Sequence, residues 1–81
     1  MASPATELIE YLVRAIVEEP DAVDVQEFDE GEELILEVKV AQPDLGRVIG
    51  REGRVAKSIR TIARAAGARE ERRISVDIVE D

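Results

Sequence analysis

The chain has 81 residues, no cysteine, no histidine and a formal net charge of −8. A chain this short has one modest core, so we expect a single domain over residues 1–81. The missing cysteine and histidine exclude a disulfide framework, a thiolate metal site and the usual zinc or Ser-His chemistry.

A helix over residues 4–18 is predicted first. Ser3 and Pro4 are typical of an N-cap followed by proline at the first helical position. Apolar residues then recur at helical spacing and form one stripe: Leu8, Ile9, Leu12, Val13, Ile16 and Val17. Pro20 ends this helix. The single stripe predicts that the helix packs on a flat surface.

Two strands joined by a short turn are predicted next. Val23 and Val25 alternate with polar residues, and residues 29–32 have the composition of a turn. The second strand alternates more regularly, with Leu34, Leu36, Val38 and Val40 on one face and Ile35, Glu37 and Lys39 on the other. The short turn predicts an antiparallel hairpin.

Two helices and a last strand complete the chain. A short helix starts at Pro43 and ends at Gly50, where glycine can adopt a left-handed cap. A longer helix runs from Gly53 to about residue 66, is closed by Gly67, and presents the apolar stripe Val55, Ile59, Ile62 and Ala66. A strand follows, with Ile74, Val76 and Ile78 on one face. The order α-β-β-α-α-β predicts an α+β two-layer sandwich, with three helices on one face of a three-stranded mixed sheet. Periodicity leaves the strand order open.

The link between the two consecutive helices has the chemistry of an anion site. Gly50 and Gly53 have no Cβ, so the backbone there can approach a ligand closely. The helix that follows directs unpaired N–H groups and the positive end of its dipole toward the link. Arg51 and Arg54 add two positive charges. These features predict a site for a phosphate backbone.

Charge is distributed unevenly along the chain. Residues 1–46 hold 2 basic and 13 acidic side chains, whereas residues 47–73 hold 9 basic and 3 acidic ones. Exposed charges are screened over roughly 8 Å in physiological salt, so a ligand at residues 47–73 responds mainly to that basic segment. The negative total is therefore compatible with nucleic-acid binding.

The string from Val48 to Ile59, in this element order, resembles a KH domain of the bacterial (type II) arrangement. Its aliphatic-Ile-Gly-x-x-Gly-x-x-aliphatic pattern is supplied by Ile49, Gly50, Gly53 and residues 55–59. The sequence is more similar still to the small single-domain KhpA family of bacterial RNA-binding proteins. That resemblance covers essentially the whole chain, including the lead-in at residues 44–47 and the C-terminal strand.

The resemblance implies a groove for about four single-stranded nucleotides, with the Gly-x-x-Gly loop clamping their backbone. By position, the clamp consists of Gly50, Arg51, Glu52 and Gly53. The resemblance also implies an apolar floor of Leu45 and Ile49, and basic residues beside the phosphates at Arg54 and Lys57. Further implied RNA-binding residues are Arg47 and an opposite rim of Arg69, Arg72 and Arg73. Glu52 is unfavourable for phosphate and predicts modest affinity. Arg60 and Arg64 lie farther from the clamp and are expected to be solvated surface.

The implied function is binding of single-stranded RNA, as an RNA chaperone or post-transcriptional regulator linked to cell-shape and cell-wall control. The family also pairs with itself or with a larger KH-containing protein of the KhpB/Jag type. The alternative is a KH-fold dimerisation scaffold with little RNA binding of its own. For such pairing we expect the outward apolar residues Ile35 and Val79, and Phe28 if the first strand has a bulge.

Other functions are disfavoured by what the sequence lacks. Tyr11 and Phe28 are the only aromatic residues, which argues against RNA-binding folds that stack bases on rings. The glycine spacing matches neither the dinucleotide fingerprint nor the Walker loop, so we expect neither an enzyme nor a cofactor. The apolar runs are short and the N-terminus lacks a secretory pattern, so we expect a cytoplasmic protein with no membrane partner.

Overall fold

A computed structural model describes residues 2–80, in which three α-helices cover one face of a three-stranded sheet. The elements are α1 (Pro4–Ile16), β1 (Asp24–Asp29), β2 (Glu33–Lys39), α2 (Leu45–Ile49), α3 (Arg54–Arg69) and β3 (Arg73–Ile78). Single 3-10 turns lie at Pro20–Ala22, Gln42–Asp44 and Arg51–Gly53. The predicted α+β class and element order are confirmed.

The sheet has the strand order β1-β2-β3. β1 pairs with β2 antiparallel, as the short turn predicts, whereas β3 pairs with β2 in parallel. The parallel pairing requires a crossover, which α2 and α3 supply. Phe28 lies opposite Ile35 in an unbroken register, so it reaches the outward face by simple alternation and needs no bulge.

The core lies between the inner face of the sheet and the helices. From the sheet it takes alternate residues of β2 and β3, namely Leu34, Leu36, Val38, Ile74, Val76 and Ile78. Ile9 and Val13 of α1 are completely buried against them. Each such side chain contributes roughly 1.5–3 kcal/mol relative to exposure, so this face dominates the stability of the fold.

The predicted apolar stripe of α3 is rotated from the face that is buried. Ile59 is in the core as expected, but its buried companions are the small residues Ala56, Ala63 and Gly67. Ile62 is 37% exposed instead. Small side chains let the helix axis approach the sheet closely. The larger apolar residues consequently lie at the edge of the contact, which hydrophobicity alone did not reveal.

Gly67 does not close α3, because the helix continues to Arg69. Its role is to permit close contact with the chain leading into β3. A Cβ at this position would lie 2.5 Å from the carbonyl oxygen of Arg72 and 3.0 Å from Cγ1 of Ile74. The N–H of Arg72 donates to the Gly67 carbonyl at 2.9 Å. Gly67 therefore sets how closely α3 and β3 approach each other.

The start of α1 is held by distant carboxylates. Ser3 caps the helix by accepting from the Thr6 N–H at 3.1 Å. Glu27 of β1 accepts from the Thr6 hydroxyl and, at 2.8 Å, from the Ser3 N–H. These hydrogen bonds, that from Thr6 foremost, hold the pKa of Glu27 below its usual value. Glu70 similarly accepts from the Ala5 N–H at 3.1 Å.

We expect Glu27→Gln to make the stability less sensitive to acid. The lowered pKa of Glu27 in the folded state means that its stabilisation is complete above the unfolded-state pKa, about 4.3. That stabilisation is lost as the pH falls through the lower folded-state pKa. Urea unfolding at neutral and acidic pH should show a smaller loss for Glu27→Gln than for the parent. Glu30→Gln, in the β1–β2 turn, should lose as much as the parent. Equal losses in all three proteins would contradict the assignment.

Candidate nucleic-acid interface

The link between α2 and α3 turns sharply through residues with positive φ. Gly50 has φ 77° and ψ 172°, a combination essentially restricted to glycine. A Cβ on Gly50 would lie 2.8 Å from both the backbone nitrogen and the Cβ of Val55. Glu52 and Gly53 follow with φ of 56° and 75°. The loop is therefore compact, and its first glycine is required by contact as well as by conformation.

α3 begins directly at this loop. It runs for 16 residues from Arg54, and no side chain caps it at Gly53. The Arg54 N–H donates to the Arg51 carbonyl of the preceding 3-10 turn, and the positive end of the helix dipole points into the loop. A phosphate oxygen is a suitable acceptor at such a position.

The charged residues of the loop are exposed. Arg54 has a side chain 77% exposed, with Nη2 3.5 Å from Oε1 of Glu52. An exposed pair of this kind contributes about 0–1 kcal/mol, so a ligand can replace it at little cost. Within residues 2–80, Arg51 and Lys57 form no ion pair. Both side chains are exposed and available to an anion.

α2 positions the predicted apolar floor and one predicted basic residue. Leu45 and Ile49 are half-buried, and Leu45 packs against the core. Arg47, in contrast, binds the carboxylate of Glu18 and lies 3.6 Å from Asp44 Oδ1. Arg47 is thus engaged by two carboxylates, of which that of Asp44 is buried.

The three arginines predicted to form an opposite rim do not lie together. Arg69 lines a cavity on the α1 side of α3. Arg72 donates to Asp29 Oδ1 at 2.6 Å and to the Gly31 carbonyl at 2.9 Å. The Gly31 N–H and Arg72 together hold the pKa of Asp29 below its usual value. Arg72 therefore fastens the turn before β3 to the β1–β2 turn. Only Arg73 lies at the groove described next.

An open groove of about 480 Å³ separates α3 from the edge strand β3. It is lined by Arg60, Arg64, Arg73, Ile74, Ser75 and Val76. Arg73 and Val79 direct their N–H groups toward β2. By alternation, the backbone groups of Ile74, Val76 and Ile78 face the open edge. Arg60 Nε accordingly donates to the Val76 carbonyl at 3.3 Å. The groove therefore combines positive side chains with unpaired strand groups.

Arg60 and Arg64 are the residues that sequence reasoning left out of the site. Together with Lys57 they recur at i, i+3 and i+7, which places them on one flank of α3. That spacing was visible in the sequence. The strand order decides which flank of α3 faces the edge strand, and sequence periodicity did not reveal the strand order.

α1 and α3 contact each other. Helical spacing places Leu8, Tyr11 and Leu12 on one face of α1, and Ile62 and Ala66 on one face of α3. We call these five residues the apolar seam. Leu8 and Ala66 line a shared cavity of about 320 Å³. Leu8 is 39% and Tyr11 71% exposed. The predicted pairing surface at Phe28 and Ile35 lies elsewhere, on the sheet face away from the helices.

Two further properties concern the part of the chain that the structure describes. None of its helices is long and apolar enough to cross a membrane. No group of three or more acidic side chains there is arranged to hold a metal ion.

Sequence comparison gives a consistent family. A family model described as "KhpA/KhpB, KH domain" matches residues 6–78. RNA-binding protein KhpA of Caldanaerobacter subterraneus subsp. tengcongensis is 44% identical over 73 residues, covering 90% of this chain and 97% of that protein. RNA-binding protein KhpA of Borreliella burgdorferi is 39% identical over 74 residues, covering 91% and 90%.

Solved structures of Era have a similar fold. Era in complex with MgGDPNP and nucleotides 1506–1542 of 16S ribosomal RNA matches 95% of this chain with a TM-score of 0.63 and 20% identity. A variant of Aquifex aeolicus Era bound to GDP and AlF4− matches 91% with the same TM-score. The chain spans 31% and 29% of these two Era chains. At this identity the likeness concerns the fold alone.

Proposed function

This chain belongs to the KhpA/KhpB family of KH domains, and from that premise we propose that it binds single-stranded RNA along the flank of α3 that faces β3. The observation that carries the proposal is a continuous basic path. It starts at the uncapped beginning of α3 and continues through Lys57, Arg60 and Arg64 beside the open groove. A phosphate backbone is a chain of negative charges and fits such a path.

In this proposal the loop and the groove have separate tasks. The Gly-x-x-Gly loop, Gly50 to Gly53, lets the backbone approach the phosphates closely, while Arg51 and Arg54 supply charge. Leu45 and Ile49 support the bases from below. The free backbone groups of β3 offer hydrogen bonds to base edges, which suits a protein with two aromatic residues and no stacking platform. The protein is then a binding protein rather than an enzyme.

We propose the cellular role from the family resemblance. The protein acts as an RNA chaperone or post-transcriptional regulator in the cytoplasm, linked to cell-shape and cell-wall control. Binding that depends on backbone charge tolerates many sequences, and a chaperone needs such tolerance. Glu52 beside Arg54 keeps the affinity modest, which favours release.

The test is fluorescence anisotropy of a labelled mixed-sequence single-stranded RNA at two salt concentrations. The double variant Arg51→Asp, Glu52→Asp should weaken binding at least about tenfold and reduce its salt dependence. Glu52→Gln removes one negative charge at the same place and should strengthen binding about two- to threefold. Circular dichroism controls for folding. Equal binding by the parent and both variants would place the site elsewhere, and no binding by the parent would contradict the proposal.

A second role is favoured by the apolar seam. We propose that two copies, or one copy and a larger KH-containing protein, pair through it, because the seam exposes the large apolar side chains of Leu8, Tyr11 and Ile62. Arg69 and Glu70 border its cavity. The RNA groove lies on the other flank of α3, so pairing leaves it open. In the alternative function, a dimerisation scaffold with little RNA binding, this surface alone would act.

Light scattering over a range of protein concentrations tests the pairing surface. Ile62→Glu places a charge in the seam and should shift the protein to monomer. Phe28→Glu makes the same change on the outward sheet face and should leave the parent's association unchanged. The reverse pattern would support the surface expected from sequence. A parent that stays monomeric throughout would contradict self-pairing.

A further inference from the structure

Asp44 is a charged residue enclosed by the fold. Its side chain is 3% exposed. Burying a carboxylate costs several kcal/mol unless hydrogen bonds compensate the lost water. Here both oxygens are used: Oδ1 accepts from the Glu18 N–H and Oδ2 from the Glu19 N–H, each at 3.0 Å. Arg47 Nε lies 3.6 Å from Oδ1.

The two N–H groups belong to the connection between α1 and β1. α1 ends at Ile16, two residues before the predicted boundary, so the following backbone has no helical partner. Asp44 satisfies that backbone from a position 25 and 26 residues away. Arg47 in turn binds the Glu18 carboxylate. Glu18 is thus held by its backbone N–H and by its side chain. We call the arrangement of four residues the clasp: Glu18, Glu19, Asp44 and Arg47.

The clasp is adjacent to the loop through α2. Asp44 immediately precedes α2, which has only five residues and ends at Ile49, with Gly50 as its C-cap. A helix of this length does not maintain itself in water, so tertiary contacts must fix its position. Val48 is buried and anchors one side of α2 in the core. The clasp holds the other side and the start of α2 against the end of α1.

We propose that Asp44 is a positioning residue for the phosphate clamp, acting through α2 on the placement of Gly50 and Gly53. The inference rests on the proposed RNA-binding function. It assigns Arg47 to the clasp, where the arginine acts by orienting α2 rather than by touching RNA. The affinity for RNA then depends on a buried carboxylate that the ligand does not reach.

Asp44→Asn is the principal test, since it preserves shape and removes one acceptor. The amide NH2 cannot accept from the N–H group that it faces, so one backbone bond of the clasp is lost. We expect RNA binding about tenfold weaker in anisotropy titrations, because misplacement by even an ångström is costly. Val13→Ala, a core change on α1 outside the clasp, is the matched control. It should lower the thermal midpoint but keep the parent's affinity while folded.

Amide spectra separate this inference from the proposed function, because they need no RNA. Asp44→Asn should shift the resonances of Gly50 and Gly53, and speed hydrogen exchange of the Gly50 N–H, which donates to Gly46 at 2.8 Å. Val13→Ala should leave these signals in place. Unchanged loop signals in Asp44→Asn would overturn the inference whether or not the parent binds RNA. Unchanged RNA affinity in a parent that does bind would overturn it too.

Glu18→Gln provides a second test, which remains available if Asp44→Asn fails to fold. Its result is the direction in which the RNA affinity changes. Removing an acidic charge strengthens RNA binding if only electrostatics matter. The clasp predicts the opposite, a loss of about twofold, because Arg47 loses its charged partner. Combining Glu18→Gln with Arg47→Ala should then cost no more than Arg47→Ala alone. Stronger binding by Glu18→Gln would overturn the inference.

Discussion

Gly50→Ala should destabilise the protein by about 3 kcal/mol, whereas Gly53→Ala should cost only about 1 kcal/mol. The two glycines have nearly equal positive φ, 77° and 75°, so the dihedral angle alone does not separate them. The difference lies in ψ and in space. Gly50 combines its φ with ψ 172°, and an added Cβ would collide with Val55. Gly53 has ψ 14° and no atom within 4 Å of an added Cβ.

Thermal and urea unfolding measure this asymmetry. For a chain of this size the loss at Gly50 corresponds to a fall of about 15 °C in the thermal midpoint. Gly53→Asn serves as the matched control, since asparagine tolerates the left-handed region and should restore most of the loss in Gly53→Ala. Similar losses for Gly50→Ala and Gly53→Ala would show that the loop relaxes around Val55, and the close contact would then be dispensable.

The charge-reversed pair Arg60→Glu, Arg64→Glu should weaken RNA binding about a hundredfold at moderate salt. If each guanidinium contributes about 1.4 kcal/mol through a charged contact, losing both corresponds to that factor. The slope of log affinity against log salt should also fall by about two, one for each lost phosphate contact. Anisotropy titrations at three or more salt concentrations give both quantities.

The matched control reverses two charges outside the groove. Arg14→Glu, Arg69→Glu changes the net charge by the same amount, but both residues lie away from the face of α3 that borders β3. It should weaken binding by no more than about threefold, through the general field of the protein. Equal losses in the two double variants would mean that total charge matters and the groove does not. Arg60→Gln checks that losing the bond to Val76 leaves β3 folded.

Local patterns were sufficient for the elements and for the loop. Apolar spacing placed α1, β2 and β3 within a few residues, and Gly50 and Gly53 stood where two helices had to be joined. These features depend on neighbours in sequence. The same residues also carried the family resemblance, and a family model covering residues 6–78 confirms it.

What local patterns did not reveal depends on contacts between distant segments. The edge position of β3 follows from its pairing with β2, and it alone places Arg60 and Arg64 at a groove. The burial of Ala63 in preference to Ile62 follows from how closely α3 approaches the sheet. Asp44 looked like an ordinary residue at a helix start. Its partners are 25 and 26 residues away, and spacing along the chain does not reveal them.

The parallel pairing of β3 also affects the order in which the protein folds. β1 and β2 meet across a short turn, whereas Glu33 of β2 pairs with Arg73 of β3 only after the crossover has closed. Closing the longer loop costs more entropy, so the hairpin should form early and β3 should join late. The groove exists only after β3 has joined. If RNA binds in this groove as proposed, it binds only the protein in which β3 is paired, and it should slow unfolding by holding β3 in place.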